Sequence, residues 1–198
     1  IAIIVFTILV RLAMSPITYK SYLSQAKMKV LRPEINELNE KFKKDPMKKQ
    51  QETMKLYGKA GVNPMAGCLP AVMQIPVFYA LFQFFPSAIE LRQKNFLWAE
   101  DLSSFDAVLS WKQHIPVISS FYGNHVSLFP ILAAIAIFFY MKMTTGDQQM
   151  SAPQQEGMPD MGKIMKIMIY ISPLMMMIFF NNNASGLSLY YFVSNTIT

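Results

Sequence analysis

Arg11 stands in the middle of the apolar run that opens the sequence, IAIIVFTILVRLAMSPITYK. A charged side chain at the centre of a membrane helix costs from about 3 to more than 10 kcal/mol, and it persists only where it faces water, protein or a partner. Polar residues recur along the run at steps of four, four and three residues, which places them on one side of an α-helix. They are Thr7, Arg11, Ser15 and Thr18. We therefore predict a first transmembrane helix over residues 1–20 that carries a polar stripe.

The composition also favours a membrane protein, because 53% of the 198 residues are hydrophobic and only 15% are charged. A single cysteine, Cys68, excludes a disulfide framework or a cysteine-based metal cluster within this sequence. The sequence starts inside an apolar run without Met or a basic n-region. Its last apolar stretch, from Leu187, has only 12 residues, too few to span a bilayer. We expect both ends to be truncated.

The positive charge is concentrated in one segment, where eleven basic and five acidic residues lie between Lys20 and Lys59. Apolar residues at helical spacing form a seam there: Leu31, Ile35, Leu38 and Phe42. Asp45 and Pro46 predict the start of a second helix, and Gly61 predicts its end. We predict a helical hairpin over 21–62, which the positive-inside rule places in the cytoplasm. Its basic surface fits a solvated face, and it also fits a face that docks a partner or anionic lipid.

Four further apolar stretches, separated by polar segments, predict four more spans. The predicted order is a second transmembrane helix at 63–89, an extracytoplasmic loop region at 90–125, a third transmembrane helix at 126–143, a cytoplasmic loop at 144–162, a fourth transmembrane helix at 163–181, and an outer turn with a truncated fifth helix at 182–198. We expect Pro173 to break the fourth helix. The fifth carries a second polar stripe, which we expect to face something other than lipid: Ser188, Tyr191, Asn195 and Thr198.

Five methionines lie in the fourth span: Met165, Met168, Met175, Met176 and Met177. They fit ordinary lipid-facing bulk, the interpretation we favour, or an adaptable binding surface. A copper site is the weakest interpretation because no histidine converges on them.

No catalytic constellation is visible in the sequence. The two histidines, His114 and His125, lie in or beside the predicted outer loop, far in sequence from Cys68 and from any acid within a span. Glycine-rich phosphate loops and metal-ligand spacings are also absent. We expect a non-enzymatic protein without a catalytic residue, a bound metal, a cofactor or a specific nucleic-acid site.

The predicted spans contain no Asp or Glu, so Arg11 has no acidic partner within them. Water, amide groups or hydroxyls can satisfy it, or an acid can arrive on another polypeptide, the interpretation we favour. A small-solute or ion transporter is a second hypothesis, but it would ordinarily need a deep carboxylate or histidine, and no inverted repeat is visible. A structural assembly subunit, with Arg11 against an acid on a partner helix, is the third.

Several long segments resemble one known family, the YidC-type membrane protein insertases, whose relatives occur in mitochondria and chloroplasts. The segments appear in the family's order: VRLAMSPIT, AKMKVLRPEI, VNPMAGCLPAVMQIPVFYALF, ELRQKNFLWAEDLS and SGLSLYYFVSN. The resemblance implies an all-α membrane protein, with five transmembrane helices around a hydrophilic groove and a cytoplasmic helical hairpin. The turn before SGL differs from many bacterial members in carrying Asn182, Asn183 and Ala184.

The function implied by this resemblance is insertion of nascent membrane proteins into the bacterial inner membrane, without ATP hydrolysis. The groove receives hydrophilic segments of the client, and the client's transmembrane segment is released into the lipid bilayer. The secretion channel and the ribosome are further candidate partners, although a basic C-terminal tail of the kind that some members use at the ribosome is not among these residues. The spans would be the second to sixth of the bacterial protein.

The resemblance also implies client-contact positions. Arg11 matches the family's groove arginine, and Thr7 and Ser15 share its stripe. The other implied contacts lie on the second, fourth and fifth spans of this sequence: Gln74, Ile75, Pro76, Phe78, Phe179, Tyr190 and Tyr191.

Overall fold

The structure, a computed structural model, describes residues 1–63, 69–113, 115–145 and 161–198. Cys68, His114 and most of the predicted loop 144–162 lie outside the described residues. The described chain is mostly helical, as predicted. Its helices are α1 (Ala2–Val30), α2 (Arg32–Lys41), α3 (Pro46–Ala60), α4 (Leu69–Ser87), α5 (Ile118–Phe121), α6 (Leu128–Thr145), α7 (Met161–Asn181) and α8 (Ser185–Ile197), and its strands are β1 (Ala107–Ser110) and β2 (His125–Ser127).

The chain divides into two compact units, each of which is described by itself. The first comprises Ile1–Leu12, Ile75–Met141 and Tyr170–Thr198, and the second comprises Ala13–Gln74 and Lys142–Ile169.

Helix α1 continues without interruption through Pro16 and past the predicted boundary at residue 20. Its 29 residues measure about 43 Å at 1.5 Å per residue, more than the ~30 Å of a bilayer's hydrocarbon. The helix can therefore leave the hydrocarbon before it ends, and its last turn carries Lys27 and Lys29. The predicted transmembrane limit of 1–20 remains a prediction, whereas the helix itself is longer.

Among the described residues, α1 alone is long and apolar enough to cross a membrane, with a mean hydropathy of 1.8 in its most apolar window. Three shorter apolar stretches occur in later helices: Ala71–Ser87, Leu128–Met143 and Lys166–Asn181. Helix length and hydropathy therefore identify one of the five predicted spans, and the other four stay predictions.

In the second unit, α2 and α3 pack through a small apolar core. Ile35, from the predicted seam, is 1% exposed and lies with Tyr57 and Val62. Pro46 is the first residue of α3, as predicted, although the Asp45 side chain makes no capping hydrogen bond. The Asp45 carboxylate instead lies 3.4 Å from the Lys48 Nζ atom. Gly61 terminates α3 with a φ of 64°, which glycine adopts without steric cost.

A strand pair lies in the region predicted as an extracytoplasmic loop and extends two residues into the predicted third transmembrane helix, so the expected all-α class is incomplete. Strands β1 and β2 pair antiparallel, with Ala107 opposite Ser127 and Ser110 opposite His125. Both strands are short, and fourteen residues separate Ser110 from His125. No local alternation of apolar and polar residues marked them.

Helix α7 is also more regular than predicted, because it continues through Pro173 to Asn181. Proline removes one backbone donor, but the helices of membrane proteins tolerate the loss where neighbouring groups satisfy the freed carbonyl. Two of the five methionines of this segment are well exposed: Met168 and Met175.

The core of the first unit lies where α4, α6, α7 and α8 pack together, and its least exposed large side chains include Phe85, Phe129, Phe180 and Tyr190. Gly186, in the first turn of α8, makes close packing possible there. Its backbone N–H donates to the Leu102 carbonyl at 3.0 Å. A Cβ atom at this position would lie 2.9 Å from that carbonyl oxygen and 3.0 Å from a ring carbon of Phe85.

We expect Gly186→Ala to lower the free energy of unfolding by about 1–3 kcal/mol, because the added methyl overpacks against a backbone oxygen that cannot rotate away. Gly58→Ala is the matched control, since a Cβ on Gly58 meets no atom within 4 Å and alanine is the better helix former. Thermal midpoints in detergent micelles should therefore shift in opposite directions. A Gly186→Ala protein as stable as the parent would contradict this packing argument.

Candidate functional site around Arg11

The Arg11 side chain is half-buried on α1 and reaches α8. Its Nε–H group donates a hydrogen bond of 2.6 Å to the Ser194 hydroxyl oxygen. Ser194 is fully buried, at 0% exposure. Helix α8 remains hydrogen-bonded around this point, because the Ser194 carbonyl accepts bonds from the Thr198 backbone N–H and hydroxyl. The arginine is thus held by a neutral group fixed on a neighbouring helix.

No Asp or Glu in the described part of the chain pairs with Arg11. A serine hydroxyl accepts a hydrogen bond but carries no neutralising charge. A half-buried guanidinium without a counter-charge is costly in an apolar environment, and the expectation that its acid arrives on another polypeptide remains a prediction.

The other predicted stripe residues on α1 have different surroundings. Thr7 is fully buried, and its hydroxyl donates to the Ile3 carbonyl at 2.7 Å. Thr18 makes the corresponding bond to the Met14 carbonyl, at 3.0 Å. Such bonds to the preceding helical turn satisfy a threonine hydroxyl where water is scarce. Thr7 therefore presents no accessible polar group in this structure, and a client contact there remains a prediction.

Ser15 and Gln74 lie in the second unit, where Ser15 is exposed and Gln74 is half-buried. Ile75 and Pro76, in the first unit, are both exposed on α4. Their predicted roles as client contacts also remain predictions.

Four of the predicted contact residues, Phe78, Phe179, Tyr190 and Tyr191, lie in one aromatic cluster. The ring centroid of Phe78 lies 6.0 Å from that of Phe179 and 5.7 Å from that of Tyr191. We use the name aromatic cluster for six rings of α4, α7 and α8: Phe78, Phe82, Phe179, Phe180, Tyr190 and Tyr191. Phe179 is 44% exposed, whereas Tyr190 and Tyr191 are 1% and 8% exposed. The exposed edge of the cluster is therefore Phe179, and the tyrosines form its interior.

Helix α8 joins the aromatic cluster to Arg11. Tyr191 and Ser194 are three residues apart, so their side chains lie on adjoining turns of one face. Most of α8 is buried, including Ser188 and Tyr191 of the predicted second stripe. Farther along the stripe, the Asn195 side-chain amide donates to the Tyr191 carbonyl at 2.8 Å.

Sequence reasoning missed Ser194, although it lies beside Asn195 and three positions after Tyr191. Periodicity identified the polar face of α8, but it gave no means of pairing one hydroxyl with an arginine 183 positions away. The polar network at Asn181 and Asp106 was missed as well.

Asn181, the last residue of α7, is fully buried and makes most of the hydrogen bonds of this network. Its side-chain amide donates to the carbonyls of Tyr122 and His125, and its side-chain oxygen accepts from the Ser127 N–H. Its own carbonyl accepts from the Ser127 hydroxyl. Asn181 thereby fixes the end of α7 to strand β2.

Asp106 is the second buried polar residue of this network. One oxygen of its buried carboxylate accepts from Trp98 Nε1–H and from the backbone N–H groups of Leu128 and Phe129, at 3.0–3.1 Å. A carboxylate at this position satisfies backbone donors of the first turn of α6 and complements the helix dipole.

The loop before β1 is tied to α8. The Ser185 hydroxyl donates to the Asp101 carbonyl, and the Ser185 N–H donates to the Ser104 carbonyl. Donation from the Ser103 hydroxyl lowers the pKa of the Asp101 carboxyl group.

The described residues contain no group of three His, Cys, Asp or Glu side chains able to hold a metal ion. The polar elements of the candidate site are an arginine, a serine and tyrosines beside exposed aromatic and aliphatic groups. Such a set can bind an anionic or amphipathic polypeptide by charge and contact.

A half-buried arginine with no acid beside it among the described residues, on a helix long and apolar enough to cross a membrane, indicates a membrane protein with a polar site among its helices. The chain belongs to the 60Kd inner membrane protein family, whose model matches residues 1–198.

Relatives named membrane protein insertase YidC support the resemblance seen in the sequence. The protein from Parabacteroides distasonis is 50% identical over all of this chain, and that from Phocaeicola vulgatus is 49% identical. The chain spans 30% of the length of each. A solved structure titled as an active YidC insertase with its first transmembrane domain resolved matches with a TM-score of 0.63 and 29% identity, over 99% of this chain and 39% of that one. None of these similarities supports a small-solute transporter.

Proposed function

We propose that this chain is the membrane-embedded part of an insertase, which receives hydrophilic segments of nascent membrane proteins at Arg11 and releases their apolar segments into the bilayer. The observation that carries the proposal is the Arg11–Ser194 pair: a half-buried cation held by a neutral hydroxyl, with no acid from the described residues beside it. Relatives that are identical to this chain at about half of the aligned positions are named as insertases.

The proposed mechanism needs no covalent step. Arg11 attracts a carboxylate on the client's outer tail, because a charge in a poorly screened environment interacts more strongly than one in bulk water. Pairing lowers the cost of taking the tail's charge part of the way across hydrocarbon. Burial of the client's apolar segment in lipid then supplies the remaining driving force.

The topology of this proposal follows the predicted five spans, with the basic segment 21–62 as a cytoplasmic helical hairpin and a hydrophilic groove around Arg11. The packing of α2 against α3 through Ile35 and Tyr57 supports the hairpin. The excess of cations in this segment supports its cytoplasmic side. The secretion channel and the ribosome belong to the proposal as additional partners.

The apolar part of the client would slide past the exposed edge of the aromatic cluster. Phe179 and Ile75 present exposed apolar surface, at 44% and 66%. Phe78, Phe82 and Phe180 hold Phe179 in place through tilted ring contacts, which add about 0.5–1.5 kcal/mol per pair.

Photo-crosslinking in the full-length protein tests this proposal. A photoreactive amino acid at Phe179 should crosslink to a ribosome-stalled membrane-protein chain, and one at Ile75 or Gln74 should do so too. Phe139 is the matched control, because it is a phenylalanine of similar exposure, 57%, on α6. We expect several-fold more client adduct at Phe179 than at Phe139. Equal adducts at the two positions, or none at either, would overturn the proposal.

A further inference from the structure

The Arg11–Ser194 bond uses one particular donor of the guanidinium group. An arginine presents five N–H donors in one plane, one on Nε and two on each Nη, and it accepts no hydrogen bond. The donor bonded to Ser194 is the Nε–H, at 2.6 Å. The described residues supply Arg11 with no other recorded side-chain partner.

A carboxylate can pair with a guanidinium in two bidentate ways. It can bind side-on, through Nε–H and one Nη–H, or end-on, through the two Nη groups. Since Ser194 occupies the Nε–H, the side-on arrangement is blocked while this bond lasts. The end-on edge keeps its full set of donors.

We propose that Ser194 is a positioning residue that orients Arg11 to receive a client carboxylate end-on, through the two Nη groups. This inference rests on the proposed function. Ser194 is suited to the role because it is fully buried within α8, and its carbonyl accepts bonds from Thr198 in the last turn of that helix. A guanidinium anchored at Nε loses less rotational freedom when the client binds, so the same contact gives tighter binding.

The orientation also confers specificity. A planar carboxylate matches the end-on edge with two parallel hydrogen bonds, whereas a neutral amide offers one acceptor oxygen and places N–H groups against N–H groups. The site therefore discriminates Asp and Glu from Asn and Gln in the client's outer tail. Discrimination of this kind depends on the direction of the guanidinium as well as on its charge.

Insertion of a matched pair of clients tests the inference in the full-length protein. The two clients differ only in their outer tail, which carries Asp and Glu in one and Asn and Gln in the other. We expect Ser194→Ala to reduce insertion of the acidic client by about threefold to tenfold, as for one lost hydrogen bond, and to leave the amide client unchanged. The measured quantity is the ratio of the two insertion rates, which cancels any change in the amount of folded protein.

Ser188→Ala is the matched control. Ser188 is also fully buried on α8, but its hydroxyl has no hydrogen-bond partner among the described residues, so its removal should leave the ratio at the parent value. In an Arg11→Ala background, Ser194→Ala should cause no further change.

The two proposals fail in different ways. If Arg11→Ala lowers the ratio and Ser194→Ala does not, the positioning role is overturned and the insertase function stands. If Ser194→Ala lowers insertion of both clients equally, Ser194 is merely structural and the inference also fails. If Arg11→Ala leaves the ratio unchanged, the proposed role of Arg11 itself is wrong.

Discussion

Asn181→Leu should lower the free energy of unfolding by about 3–5 kcal/mol, although leucine branches at the same side-chain carbon as asparagine. The change removes both side-chain donations, at 2.6 and 3.0 Å, and the acceptor of the Ser127 N–H. Each buried polar group left without a partner costs about 1–3 kcal/mol. Asn181 is 0% exposed, so water cannot replace the lost bonds without opening the structure.

The matched control is Asn182→Leu, one position farther along the chain, where the side chain is exposed. Surface substitutions of this kind usually change stability by no more than about 0.5 kcal/mol. Unfolding of both variants in mixed SDS micelles measures the difference. Similar unfolding midpoints for the two would show that the network around Asn181 contributes little to stability.

Local sequence signals predicted the helix ends where a single residue decides the backbone. Gly61 terminates α3 in the left-handed conformation, and Pro46 begins it. The same rules overestimated the effect of Pro173 on the backbone, because Pro173 lies inside an unbroken helix. A proline's effect depends on whether neighbouring helices satisfy the freed carbonyl, and that information is tertiary.

The polar network that joins the strands to the helix ends could not be predicted from the sequence. Asp106 satisfies the first turn of α6 from 22 residues away, at Leu128. Asn181 fixes β2 from 54 residues away, at Ser127. Composition shows that such residues are polar, but it does not show that they are buried, because burial depends on how distant segments pair.

The candidate site was predictable to different degrees. The position of Arg11 in an apolar helix identified it, because its charge is costly there. The contact positions Phe78 and Phe179 came from the family resemblance, and the structure places their rings together. Periodicity placed Thr7 on the polar stripe, but it could not show that the Thr7 hydroxyl is satisfied within its own helix, and a client contact there remains a prediction.

The neutral partner of Arg11 matters for function as well as for folding. An internal acid would neutralise the arginine and compete with any incoming carboxylate, whereas a serine anchors the side chain and leaves its charge available. Under the proposed function, the same contact accounts for how the protein tolerates the arginine and leaves its charge free to attract a client.

Arg11→Ala should reduce insertion of a client with an acidic outer tail by at least about tenfold, because it removes charge-assisted hydrogen bonds worth about 1.5–3 kcal/mol. Arg11→Lys should lie between the parent and Arg11→Ala, about threefold to tenfold below the parent, since the ammonium keeps the charge but lacks the planar donor edge. The measurement is protease protection of the translocated tail in membranes that contain the full-length variants. A client whose tail carries Asn and Gln in place of Asp and Glu is the control, and Arg11→Ala should leave its insertion nearly unchanged. Equal insertion of the acidic client by the parent, Arg11→Ala and Arg11→Lys proteins would eliminate electrostatic attraction as the role of Arg11.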